Sequence, residues 1–104
     1  MSRANILGCS ELATAEVKLP SGKTAIVREL TAGERGEVLR LFRETKNIAE
    51  IHARIVVMSV QDADGKPSFK EGDTAAILKL PGRVVQPIAE RALAVADSSS
   101  PGRP

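Results

Sequence analysis

Two stretches of this chain, Thr31-Ala32-Gly33-Glu34 and Asn47-Ile48-Ala49-Glu50, carry the same signal: a short polar side chain followed three residues later by a glutamate. At that spacing the polar side chain accepts from the amide three residues on, and the glutamate can reach back to the amide of the first residue, so donors that every helix start leaves open are satisfied. Two helix starts are thereby fixed close together, and the chain between them has room for one helix and a tight link. The first helix is expected to run to about residue 45, with Val38, Leu41, Phe42 and Thr45 inward and Glu37, Arg40, Arg43 and Glu44 outward. Gly33 and Gly36 weaken its first turn, by about 1 kcal/mol for each interior position. The second is expected over residues 48–60. Its apolar set of Ile48, Ile51, Ile55, Val56, Met58 and Val60 covers most of the circumference, which marks it as the central helix, with Glu50 and Arg54 on the wet side.

Upstream of the caps, residues 14–19 and 24–28 are rich in β-branched side chains and flank Pro20-Ser21-Gly22-Lys23, the chemistry of a hairpin turn. Val17 and Leu19 share one face, as do either Ile26 and Arg28 or Ala25 and Val27; the partial alternation leaves the register open. Downstream, Asp62-Ala63-Asp64-Gly65-Lys66-Pro67 breaks the helical pattern with a tight turn that leads to Phe69. A shorter helix over residues 71–79 would turn Ala75, Ile77 and Leu78 inward, and Pro81-Gly82 ends it. A last helix over residues 83–96 places Val85, Ile88, Ala89, Ala92 and Ala96 on one face, with Glu90 and Arg91 opposite. Pro87 kinks that helix if its start lies earlier. The expected organisation is a loosely ordered lead-in at residues 1–12 with room for one helical turn, a single domain at 13–96, and a disordered Ser-, Pro- and Gly-rich tail at 97–104. The fold class is α+β: an N-terminal β-hairpin packed on a bundle of about four α-helices.

Composition bears mainly on what such a domain can bind. Phe42 and Phe69 are the only members of the Phe, Trp and Tyr set among 104 residues, so the core is expected to be aliphatic, with little aromatic surface for stacking a base, sugar or flavin. Fifteen basic residues against thirteen acidic ones, with the signs interleaved, describe a solvated exterior and no basic patch for nucleic acid. The one cysteine, Cys9, cannot form an internal disulfide, and the first residues do not read as a secretory leader; the expected location is the cytoplasm. The longest apolar run falls far short of the roughly 20 residues that cross a bilayer, so no membrane partner is expected.

Candidate chemistry dissolves on inspection. Asp62-x-Asp64-Gly65 opens like a calcium loop, but the fifth, sixth and twelfth positions would be Lys66, Pro67 and Asp73 where an oxygen ligand, a glycine and a glutamate are required. His52 is the only histidine and has no nucleophile at useful spacing, so a structural role at the core edge is expected. Cys9 has only Arg3 nearby in the sequence to activate it, so an incidental cysteine is expected. Gly22-Lys23-Thr24 ends like a phosphate loop, but Val17 stands where the upstream glycine must be. A helix-turn-helix would need polar side chains on its second helix to read base edges, and that helix is almost wholly apolar. No catalytic, metal or cofactor residue emerges. The candidate partner-binding residues are the exposed charges of the first and last helices, Arg35, Arg40, Arg43, Glu44, Glu90 and Arg91.

Taken in order, Val17-Lys18-Leu19-Pro20-Ser21-Gly22-Lys23, then Val27-Arg28-Glu29-Leu30-Thr31-x-x-Glu34-Arg35, then Met58-Ser59-Val60-Gln61-Asp62-x-Asp64-Gly65-Lys66-Pro67-x-Phe69 resemble the tail assembly chaperones of long-tailed bacteriophages and their prophages. The resemblance spans about residues 17–96 and lies in the order and spacing of its pieces; the aromatic residue that other members often carry in the hairpin turn is missing here. It implies a non-enzymatic protein, made in the cytoplasm of the bacterial host, that binds the tape measure protein, recruits tail tube subunits to it, and leaves before the virion is complete. In some relatives a ribosomal frameshift near the end of the gene makes a longer form. Self-association is a further interaction that the sequence leaves open. The alternatives are a structural virion component, such as a head–tail connector or tail completion protein, and a small DNA-binding regulator of prophage origin.

Overall fold

The structure, a computed structural model, describes residues 2–99, with side chains through residue 95. Its order is α1 (Arg3–Leu7), β1 (Thr14–Lys18), β2 (Thr24–Arg28), α2 (Ala32–Glu44), α3 (Ile48–Ser59), β3 (Val60–Gln61), a 3₁₀ turn (Glu71–Asp73), α4 (Thr74–Leu78) and α5 (Gly82–Ser99). The fold is α+β, as expected, with a fifth helix in the lead-in and a third strand. α1 is a single turn capped by Ser2, whose Oγ accepts from the Asn5 amide at 3.2 Å, and none of its residues is buried.

The hairpin forms where its turn chemistry puts it. Gly22 N–H donates to the Leu19 carbonyl at 2.9 Å, Leu19 N–H donates to Lys23 O at 2.7 Å, and Gly22 takes φ +90, a backbone conformation open chiefly to glycine. Pairing Val17 with Ala25 and Ala15 with Val27 settles the register. Val17 and Val27 therefore point to the core together, and Ile26 and Arg28 fall on the other face. The same turn recurs after α3. Gly65 N–H donates to Asp62 O at 3.0 Å, Asp62 N–H to Lys66 O at 2.9 Å, and Gly65 takes φ +84.

That second turn serves a strand the sequence reading misses. Val60, expected as the end of the central helix, and Gln61 after it are extended and pair antiparallel with Val27 and Ile26, so the sheet order is β1-β2-β3 with β2 in the middle. The buried Val60 thus contributes to the core from a strand.

α3 is the central helix, in contact with α5, α4 and α2, and α5 also covers β1 and β2. Ile51, Ala53, Ile55 and Val56 of α3 and Val85, Ile88, Ala89, Ala92 and Val95 of α5 are buried, and the small alanines let the two helices approach closely. Several expected inward residues are not inward. Phe42 is 51% exposed and Ile48 50%, because α2 has α3 as its main neighbour and Ile48 lies in the first turn of α3, where an open cleft separates it from α4 and α5. In α4, which is only five residues long, Ile77 is buried while Ala75 and Leu78 are exposed: so short a helix offers one inward position. α5 starts one residue earlier than expected and contains Pro87, which withholds a donor from the Arg83 carbonyl. It also runs through Ser99, into the stretch expected as a tail, since a helix anchored at Val95 extends at little cost. The remainder of the expected 97–104 tail lies outside the described residues.

Candidate partner-binding surfaces

Arg28 closes β2 and Glu34 sits in the first turn of α2. Their side chains meet in a fork of two 2.8 Å bonds, Nη1 to Oε1 and Nη2 to Oε2, while Glu34 Oε1 also accepts from the Thr31 amide at 2.9 Å. Thr31 Oγ1 completes the capping box by accepting from the Glu34 amide. The hydrogen-bonded Arg28 guanidinium holds the Glu34 carboxyl below its ordinary value, and the arginine is raised in turn. One carboxylate thus joins the sheet to the start of α2. The second expected cap is simpler: Asn47 Oδ1 accepts from the Glu50 amide at 3.3 Å, and the Asn47 amide goes to Thr45 Oγ1 instead of to Glu50.

The six charged residues singled out in the sequence differ in what holds them. Arg40 lies between Glu37 and Glu44 on the same helix and bonds both, which lowers the Glu37 carboxyl and raises the arginine. Arg54 of α3 reaches Glu37 at 3.4 Å, so this charge network ties α2 to α3. Arg35 Nη2 donates to the Leu93 carbonyl of α5 at 3.4 Å, Glu90 accepts from Gln86 at 3.3 Å, Arg91 is half-buried on α5, and Arg43 is exposed without an ion pair to a described residue.

What the sequence did not single out is apolar and partly open. A cleft of about 280 Å³ lies where α3, α4 and α5 meet, with buried Ile77 and Val85 among its walls and Ile48, Leu78 and Leu80, each 44–50% exposed, around it. Its polar side chains are His52 and Gln86. His52 is half-buried, makes no hydrogen bond to a described residue, and forms a wall of this cleft. A smaller groove of about 200 Å³ lies between α2 and α5, bounded by Arg35, Val38, Leu39, Phe42 and Leu93. Here Leu39, at 59% exposure, and Phe42 stand one turn apart. A third hollow, of about 560 Å³, is lined by the Arg28–Glu34 pair, Glu37, Arg54 and Phe69, and its arginines are already paired. One signal for the first cleft was available: in Leu78-Lys79-Leu80-Pro81-Gly82 a helix ends between two leucines, and a chain that turns there cannot bury both.

The Asp62 carboxylate, the best imitation of a metal ligand, accepts from the amides of Asp64 at 2.9 Å and Lys66 at 3.0 Å and so closes its own turn. Among the described residues no three of His, Cys, Asp and Glu gather in a metal-holding group, and no helix is long and apolar enough to cross a membrane. The described surfaces are suited to holding another protein through apolar contact with charged margins. No family model matches the chain, and a search of curated proteins gives no match. Among solved structures, the fold is similar to that of the bacteriophage HK97 tail assembly chaperone, with a TM-score of 0.67 and 16% identity over 88% of this chain and 90% of that one.

Proposed function

We propose that the protein is a non-enzymatic chaperone of phage tail assembly. It works in the cytoplasm of the bacterial host, where it binds the tape measure protein, recruits tail tube subunits to it and departs before the virion is complete. The observation that carries this reading is the fold shared with the HK97 tail assembly chaperone over nearly the full length of both chains. Two features support it further. The sequence pieces that resemble such chaperones fall on structural joints: the β1–β2 turn, the Arg28–Glu34 fork and the turn after β3. The protein also offers two separate apolar grooves, one per partner, and each partner would otherwise expose apolar surface prone to aggregate. The outward face of α2, with Arg35 and Arg43 beside Leu39 and Phe42, serves as one docking face; Arg40 and Glu44 stiffen it, and Glu90 and Arg91 extend the charged margin along α5.

Co-expression with the tape measure protein tests this directly. The tape measure protein is expected to remain soluble and copurify with the chain, and mass spectrometry of finished particles is expected to lack the chain. Stoichiometric presence in purified virions would make it a structural component and overturn the proposal, and salt-dependent retention on DNA would make it a regulator.

A further inference from the structure

We infer that the cleft between α3, α4 and α5 seats one face of an amphipathic helix whose apolar stripe is flanked by carboxylates. The inference deepens the chaperone reading and rests on it for the helical nature of the client. The physical case begins with shape. A groove between helices accepts the side-chain ridge of another helix, and this one has a buried aliphatic wall in Ile77 and Val85 with three half-exposed aliphatic residues around it.

Charge then narrows the occupant. Lys79 stands between Leu78 and Leu80, Arg83 follows the cleft residue Gly82, and Lys46 lies two residues before Ile48. All three cations are exposed, and none forms an ion pair with a described residue. Within two residues of the lining positions, the span that holds these cations, the one carboxylate is Glu50, half-buried on α3. Pro81, the residue before α5, has no side chain that could accept from the first amides of that helix, which adds to the positive field at this end of the cleft. Complementarity therefore selects acidic residues on either side of an apolar stripe. The α2–α5 groove is less open to this chemistry, because its arginine, Arg35, already spans it to the Leu93 carbonyl.

The test uses the full chain and two labelled synthetic amphipathic peptides with the same leucine stripe, one flanked by glutamates and one by lysines, read by fluorescence anisotropy. The glutamate-flanked peptide is expected to bind at least about ten-fold more tightly. Leu80→Ser should weaken it by a similar factor, and the double variant Lys79→Glu/Arg83→Glu should reverse the preference. These positions are exposed, so thermal melting should be unchanged, which separates lost binding from lost folding. Equal binding of the two peptides would overturn the inference. So would loss of binding on Phe42→Ser but not on Leu80→Ser, or sedimentation showing that Leu80→Ser dissolves an oligomer, which would seat a second copy in the cleft. Capture of the tape measure protein undiminished by Leu80→Ser would overturn the cleft and leave the chaperone standing. Peptide binding that behaves as expected without tape measure capture would do the reverse.

Discussion

α2 and α3 are nearly equal in length, thirteen and twelve residues, and each opens on a polar side chain that caps the amide three residues on. Their situations diverge after that. α3 touches α2, α4 and α5 and buries Ile51, Ala53, Ile55, Val56 and Ser59, whereas α2 packs chiefly on α3, buries Val38 and Leu41, and leaves Leu39 and Phe42 in solvent. Helix formation was settled locally in both cases, but burial was settled by the number of neighbours. Exposed apolar residues on α2 are therefore surface available to a partner, while apolar residues on α3 are mostly structure.

The largest test of that contrast is Ile55→Ala. Ile55 is fully buried, and its truncation should cost about 2–5 kcal/mol in urea unfolding, a large share of the stability of a domain this size. A cost below about 1 kcal/mol would mean that α3 is not the core helix. Second is the anchor that compensates α2 for its few neighbours. Glu34→Gln removes the charge from a partly buried fork and should cost about 1–3 kcal/mol at neutral pH. Because the folded Glu34 carboxyl lies below its ordinary 4.5, its stabilisation is present above that value and is lost as pH falls through the lowered one; acid unfolding of Glu34→Gln should lack that component. Third, Ser59 is fully buried on α3 and its hydroxyl has no hydrogen-bond partner among the described residues, so Ser59→Ala should raise stability by about 1 kcal/mol. A loss instead would point to a bond made by that hydroxyl. The smallest effect belongs to Phe42→Ser, expected within about 0.5 kcal/mol of the parent by the same unfolding measurement. If it destabilised as much as Ile55→Ala, α2 would have a neighbour that the fold does not display.

The features legible in the sequence were those set by local chemistry. Thr31 and Glu34 cap each other as the spacing predicts, and Pro20-Ser21-Gly22 turns the hairpin. β3 was not legible: two residues have no alternation to read, and Val60 fits the apolar period of the helix that precedes it. Phe42 was misplaced because the largest apolar side chain on a stripe is expected inward, and nothing in α2 records that only one side of it is covered. Val95 was missed from the core because Ala92 and Ala96 already completed a plausible face. The α3–α4–α5 cleft was hidden for a different reason: it is assembled from three stretches of chain, none of which is unusual alone.

The antiparallel pairing of Val27 with Val60 has a consequence for the order in which the molecule forms. The hairpin of β1 and β2 closes over a few residues and can form within microseconds, before any helix has docked. β3 can reach β2 only when the chain through α2 and α3 has folded back to the hairpin, a closure that carries the entropy of a long loop. The two edges of β2 therefore gain protection at different times, and amide exchange resolved along this central strand would separate the folding of the hairpin from the assembly of the helical core.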